Sequence, residues 1–104
     1  MSSIEHKIKD LGLTLPETSK PLAAYVPAVQ TGNLVFTSGQ LPMVDGKLTH
    51  TGKVGAEVSA EDAKALAEIC ALNALAAIKM VIGDLDCCKC IQGTYFCSNQ
   101  DGHW

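Results

Sequence analysis

The segment from Ser59 to Gly83, SAEDAKALAEICALNALAAIKMVIG, constrains the fold of this chain most strongly. Its apolar residues recur at three- and four-residue steps, which predicts one long helix. Ser59 is expected to cap the start by accepting from the N–H of Asp62, and Gly83 to end the helix. The predicted inward stripe consists of Leu66, Ile69, Cys70, Ala76, Ala77 and Met80, widened by Leu72, Leu75 and Ile82. A helix this apolar has to cover a sheet or a subunit contact.

Polar side chains within that helix argue against a membrane span. Lys64, Glu68, Asn73 and Lys79 interrupt its apolar sequence, which a membrane helix would not normally tolerate. The N-terminus MSSIEHKIKDLG lacks the apolar run of a signal peptide. We therefore expect a cytoplasmic protein with no membrane partner.

Length and charge narrow the class of protein further. The 104 residues suffice for one domain, which we place at 1–104. With 47% hydrophobic and 18% charged residues, the composition is globular. The net charge of -3 offers no basic field, so we expect no nucleic-acid partner.

The first half of the chain predicts a short helix followed by a β-hairpin. The helix contains Ile4, Ile8 and Leu11 and stops at Gly12. After a proline-containing loop, residues 23–30 predict a strand, in which a proline at position 27 requires an edge or a bulge. A turn at Thr31-Gly32-Asn33 leads into a returning strand over residues 34–38.

The remaining segments complete an α+β pattern. Asp45-Gly46 predicts a second tight turn, and residues 49–58 predict a loop. Beyond the long helix, residues 84–86 predict a connection, with Asp84 and Asp86 as turn residues, and residues 87–97 a last strand. The order hairpin, helix, strand indicates a sheet with the helix on one face. The last strand would leave an open edge that needs a partner.

The cysteines suggest a metal site only weakly. Four of the five cysteines are Cys87, Cys88, Cys90 and Cys97, and with no secretory signal we expect them to be reduced. Cys87, Cys90, Cys97 and His103 are ligand types that zinc accepts, yet their spacing matches no common zinc module. A redox Cys-x-x-Cys pair is weaker still, because it does not sit at a helix N-terminus. We predict thiols without a metal.

The hairpin carries a dense family pattern. Pro-x-x-x-Tyr-x-x-Ala-Val is followed by Gly-Asn-x-x-x-x-Ser-Gly-Gln-x-Pro, matched by Pro21, Tyr25, Ala28, Val29, Gly32, Asn33, Ser38, Gly39, Gln40 and Pro42. This resembles the RidA/YjgF family of reactive-intermediate (enamine/imine) deaminases, also known as endoribonuclease L-PSP-like proteins. The resemblance implies a chorismate-mutase-like fold, a homotrimer, ligand pockets between subunits and no cofactor.

The same resemblance implies a site for a small-molecule substrate. It assigns substrate binding to Tyr25, Ser38, Gly39 and Gln40, with the phenol reaching the pocket and the Ser-Gly pair lining it. Without the family pattern, Ser38-Gly39-Gln40 would be interpreted as an ordinary strand end. The implied chemistry is hydrolytic deamination of intermediates such as 2-aminoacrylate.

One departure from the family pattern bears on activity. The family's last helix and strands carry an Arg that binds the substrate carboxylate and a Glu that positions water, whereas this sequence stops at Trp104 and contains no Arg. We expect a domain incomplete at its C-terminus, with little or no deaminase activity. The alternative is a non-catalytic module for small-ligand binding or subunit interaction.

Overall fold

The computed structural model describes residues 3–17 and 26–87. In chain order these residues form helix α1 (Ser3–Asp10), strands β1 (Ala28–Thr31), β2 (Leu34–Thr37), β3 (Met43–Val44) and β4 (Lys47–Leu48), helix α2 (Ala60–Ile82), and a 3-10 helix (Leu85–Cys87). The predicted α+β class is confirmed. Residues 88–97 of the predicted last strand, and residues 23–25, lie outside the described part of the chain.

The first hairpin forms as predicted, with a shorter first strand. β1 pairs antiparallel with β2, and Val29 faces Phe36 across the ladder. The two loop residues are Gly32, with a φ of 57°, and Asn33, whose φ is not positive. A positive φ at the first loop residue alone is the pattern of a type II′ turn. β1 begins at Ala28, and Val26 and Pro27 before it take no part in the ladder. Pro27 has no N–H for a ladder, so the strand starts directly after it.

The predicted turn at Asp45-Gly46 is a second, smaller hairpin. Asp45 has a φ of 53° and Gly46 a φ of 79°, the positive pair that a type I′ turn requires. β3 and β4 pair on either side of this turn, with Met43 opposite Leu48. Residues 49–58 form the predicted loop, crossed by a single bridge between Val54 and Val58.

α1 ends in the hydrogen-bond pattern of a Schellman motif. Gly12 has a φ of 79°, and its N–H donates to the carbonyl of Lys9 at 2.9 Å. The N–H of Leu13 donates to the carbonyl of Ile8 at 3.1 Å. This pairing satisfies carbonyls that a helix end would otherwise leave open, and it confirms the predicted stop at Gly12.

Both predicted caps of α2 are confirmed. The hydroxyl of Ser59 accepts from the N–H of Asp62 at 3.1 Å. Gly83, with a φ of 79°, donates its N–H to the carbonyl of Lys79 at 2.7 Å. Glu61 and Asp62 lie in the first turn, where negative charge offsets the helix dipole.

The apolar core joins α1, α2 and the 3-10 helix. Its buried members are Ile8, Ile78 and Leu85. Packed around them are Ile4, Leu13, Leu15, Val35, Leu72, Leu75 and Ile82. The predicted stripe of α2 was wrong at Met80, which is 54% exposed, whereas the omitted Ile78 is buried. Because α2 is apolar on most sides, its periodicity does not reveal which side α1 covers.

Two polar contacts hold α1 against the end of α2. The Asp86 carboxylate accepts from the N–H groups of Ser3 and Ile4, both at 3.0 Å. These donors hold the pKa of the Asp86 carboxyl below its ordinary value of 3.8. The Glu5 carboxylate pairs with the Lys79 ammonium at 3.3 Å. Asp86 also donates its N–H to Asp84 Oδ1 at 2.9 Å, which confirms the predicted turn.

The β1–β2 hairpin has one covered face and one open face. Ala28 is buried and Val35 half-buried on the side that meets α2, so the predicted sheet with a helix on one face is confirmed. By strand alternation, Val29, Leu34 and Phe36 lie on the opposite face, where they are 48%, 60% and 54% exposed. The single chain therefore leaves an apolar sheet face uncovered by the residues that the structure describes.

α2 is long and apolar enough to cross a membrane by length and composition alone. Its contacts are nevertheless those of a helix on a sheet, because it packs against β1, β2 and β3. Lys64, Glu68 and Lys79 also lie along it. These features fit a helix that packs on one face of a sheet.

Candidate functional site

The candidate site is the turn that follows β2, which contains Ser38, Gly39 and Gln40. Its start is fixed by Ser38, whose N–H donates to the carbonyl of Pro27 at 3.0 Å. The Ser38 hydroxyl lies 3.3 Å from the same carbonyl and donates to it. The turn is thereby attached to the residue that precedes β1.

Gln40 stabilises the turn through hydrogen bonds to Ser38. Its Nε2 donates to the Ser38 carbonyl at 3.1 Å and lies 3.4 Å from the Ser38 hydroxyl oxygen. The Ser38 hydroxyl thus donates to Pro27 and accepts from Gln40. Each of these hydroxyl contacts is at the long end of hydrogen bonding, so a better acceptor can compete for the hydroxyl.

Gly39 offers an unused donor. It is exposed, and its N–H donates to no acceptor among residues 3–17 and 26–87. A Cβ added there would meet no heavy atom within 4 Å. A backbone N–H that follows a residue with a hydroxyl, with open space beside its Cα, is suited to a small anion or carbonyl oxygen.

The far end of the turn is attached to α2 by Asn73. Its Nδ2 donates to the carbonyl of Leu41 at 3.0 Å and to the carbonyl of Met43 at 3.1 Å. A half-buried amide needs hydrogen-bond partners, and Asn73 finds both in the backbone. The sequence did not indicate that these partners lie 30 and 32 residues away. An isolated Asn within an apolar helix was the available signal.

Thr49 supports the same segment from the other side. Its N–H and its hydroxyl approach the carbonyl of Pro42 at 3.4 and 3.2 Å. The N–H of Met43 donates to the carbonyl of Leu41 at 2.8 Å. The three successive carbonyls after Gln40 are therefore all hydrogen-bonded, which gives this irregular stretch a defined path.

The turn contains no acid and no base. Residues 38–43 are Ser, Gly, Gln, Leu, Pro and Met, so none titrates. The lowered pKa values occur elsewhere: the N–H of Lys53 lowers the pKa of Glu57, and α1 lowers that of Asp86. On its own, the turn can therefore position a ligand with neutral donors, and it cannot transfer a proton with a side chain.

The remaining predicted groups are not covered by the structure. Tyr25 lies outside the described residues, so its role stays a prediction. The cysteine cluster beyond Cys87 and His103 lies outside them as well. Ser38, Gly39 and Gln40 lie together in the segment after β2.

A separate cavity of about 410 Å³ lies between α1, the segment after it and α2. Its lining includes the Glu5–Lys79 ion pair together with Ile8, Leu15 and Met80. Ser38, Gly39 and Gln40 do not line it. It belongs to the packing junction of the two helices and not to the turn.

Sequence comparison decides the family. Residues 5–98 match the family model described as "YjgF/chorismate_mutase-like, putative endoribonuclease". The chain belongs to the YjgF family. The predicted family and its chorismate-mutase-like fold are both confirmed by this match.

Individual relatives of this YjgF-family chain agree. Protein TCP17 of Trypanosoma cruzi is 35% identical over 79 residues, which cover 76% of this chain and 49% of TCP17. A crystal structure from Shewanella oneidensis MR-1, of a protein described as a "putative endoribonuclease", is 35% identical with a TM-score of 0.74. The match covers 79% of this chain and 54% of the Shewanella chain.

A second solved structure is more similar in sequence. Protein Atu1372 of Agrobacterium tumefaciens, described as having unknown function, is 45% identical with a TM-score of 0.65. The match covers 77% of this chain and 46% of Atu1372. This chain thus spans about half the length of the relatives it matches.

Proposed function

We propose that the Ser38–Gln40 turn forms one wall of a pocket for a small carboxylate, and that the reaction is hydrolytic deamination of an enamine or imine of the 2-aminoacrylate type. The observation that carries this proposal is the N–H of Gly39, which donates to no acceptor in the described part of the chain. It lies beside the Ser38 hydroxyl in a turn attached at both ends. A neutral backbone N–H fixed in this way stabilises negative charge without reorganising, whereas the Ser38 hydroxyl first has to turn away from Pro27.

The proposed chemistry needs water and no cofactor. 2-Aminoacrylate takes a proton on its terminal carbon and gives one up from its nitrogen, which makes the imine. Water then adds to the C=N carbon, the nitrogen takes up a proton, and ammonia leaves as the carbonyl forms. One water is consumed, and pyruvate and ammonia are released. Gly39 and Ser38 would hold the carboxylate, which keeps the imine carbon in one place for the attacking water.

The sequence supports only weak turnover by the 104-residue chain. It contains no Arg, so it has no planar bidentate donor for the substrate carboxylate. A hydrogen bond from Gly39 and another from Ser38 make a weaker clamp. The Ser38 hydroxyl must also leave the Pro27 carbonyl in order to donate to the ligand.

We also propose a homotrimer in the cytoplasm, of which the open sheet face supports the association of subunits. Val29, Leu34 and Phe36 make an apolar surface of the kind that another subunit covers. Burial of that face would also bring a second chain close to the hairpin. Size-exclusion chromatography with light scattering is expected to give three times the monomer mass; a clean monomer would contradict the assembly.

A second candidate function is a non-catalytic module that binds a small acid. It is favoured by the lack of any titratable side chain in residues 38–43. Ribonuclease activity has less support, because the net charge is -3 and the turn holds no cation for RNA phosphates.

The binding test is an NMR titration of the full 104-residue chain with pyruvate. Pyruvamide, which has the same skeleton without the carboxylate, is the matched control. We expect pyruvate to shift the Gly39 amide resonance and pyruvamide to shift it much less. Equal shifts, or none at Gly39, would overturn the proposed carboxylate site.

The reaction test is ammonia release from 2-aminoacrylate generated in the assay. We expect slow release above the rate without protein, lowered further by Ser38→Ala. Pyruvate binding without any ammonia release would favour the non-catalytic module. Turnover comparable to that of a complete family member would show that an Arg clamp is unnecessary.

A further inference from the structure

Asn73 connects the candidate site to the long helix. Its amide nitrogen bonds the carbonyls of Leu41 and Met43 at 3.0 and 3.1 Å. Leu41 is two residues beyond Gly39 in the chain. One side chain on α2 therefore holds the exit of the turn that presents the Gly39 N–H.

The two ends of the turn are attached to different elements. Ser38 is attached to Pro27 at the start of β1, and Leu41 is attached to Asn73 within α2. Gly39 and Gln40 lie between these attachments. Because Gly39 is the most permissive residue in the stretch, the direction of its N–H depends on where both ends are held.

From this geometry we infer that Asn73 is a positioning residue, which sets the direction of the Gly39 N–H toward a bound carboxylate. The inference rests on the proposed function for its ligand and on the described contacts for its geometry. Asn73 itself does not touch the reacting atoms. Both protons of its amide are used on backbone carbonyls, so its contribution passes through the turn.

A purely structural role for Asn73 makes a different prediction. Any side chain that links distant backbone segments contributes to stability. A structural Asn73 would affect unfolding and leave the ligand affinity of the folded protein unchanged. A positioning Asn73 affects affinity beyond what the loss of stability explains.

The chain offers a matched control in Asp86. Its carboxylate also makes two hydrogen bonds to distant backbone groups, the N–H groups of Ser3 and Ile4. These bonds hold α1 and have no contact with residues 38–43. Asp86→Ala therefore removes a comparable link without touching the turn.

The test compares Asn73→Asp, Asn73→Gln and Asp86→Ala in the full chain. Asp keeps the shape of Asn but places an anionic oxygen against two carbonyls, whereas Gln restores an amide donor. With pyruvate as probe, we expect Asn73→Asp to weaken the Kd by about tenfold, the equivalent of losing a hydrogen bond from the site. Asn73→Gln should recover part of this loss, and Asp86→Ala should keep the wild-type Kd.

A ligand-free readout separates failure of this inference from failure of the proposed function. In Asn73→Asp without pyruvate, the Gly39 amide resonance should shift, and the fast motion of the Gly39 backbone N–H should increase. Asp86→Ala should leave both unchanged. If the wild type binds no pyruvate, the carboxylate site fails while this comparison still tests the positioning. An unchanged Gly39 resonance in Asn73→Asp, or equal loss of affinity in the two variants, would overturn the inference.

Discussion

The junction of α1 with α2 and the turn after β2 use opposite means to fix their backbones. At the junction, buried apolar side chains pack together, and carboxylates hold the edges through Asp86 and the Glu5–Lys79 pair. At the turn, every link is a neutral hydrogen bond and Gly39 remains exposed. The difference indicates that the junction supplies stability, whereas the turn keeps the Gly39 N–H available for a ligand.

The largest expected effect tests the junction. Leu85 is 1% exposed and lies in the buried cluster. Leu85→Ala should lower the free energy of unfolding by about 2–5 kcal/mol, because it removes apolar contacts and leaves a cavity. Urea unfolding measures this. A change below about 1 kcal/mol would show that the junction is not the main source of stability.

A smaller effect concerns pH. The folded pKa of Asp86 lies below 3.8, its ordinary value. The hydrogen bonds from Asp86 to α1 therefore stabilise the fold at pH values above 3.8, and this stabilisation is lost as the pH falls through the folded pKa. Asp86→Asn should therefore lower the melting temperature at pH 7 and make the acid-induced fall of stability shallower. Melting curves from pH 7 to below 3.8 test it. Parallel curves for the wild type and Asp86→Asn would show that Asp86 does not contribute to the loss of stability in acid.

The smallest expected effect on stability is at the turn. A Cβ at Gly39 meets open space and no positive φ is involved, so Gly39→Ala should change the free energy of unfolding by no more than about 0.5 kcal/mol. The added methyl group takes up open space beside the N–H that a bound carboxylate would approach, so pyruvate affinity should fall. Thermal melting and the NMR titration together check this. Large destabilisation with unchanged pyruvate affinity would show that Gly39 supports the fold and does not bind the ligand.

Local signals in the sequence predicted the elements well. Ser59, Gly83 and Gly12 act at the positions expected, because caps depend on residues within one helical turn. The Asp45-Gly46 turn forms for the same reason. The order of elements and the family pattern together gave the α+β class.

Long-range contacts could not be predicted in the same way. Asp86 was expected to be a turn residue, yet its side chain also holds α1, more than 80 residues away in the chain. The backbone partners of Asn73, Leu41 and Met43, depend on how the hairpins meet α2. The buried side of α2 was missed at Met80 and Ile78 because the helix is apolar nearly all round. Such contacts arise from packing, which periodicity does not encode.

The most direct test of the central claim is a crystal structure of this chain with pyruvate. The account predicts a carboxylate oxygen within about 2.7–3.2 Å of the Gly39 nitrogen, with the Ser38 hydroxyl turned toward the same carboxylate. A carboxylate bound elsewhere, with the Gly39 N–H facing bulk solvent, would contradict it.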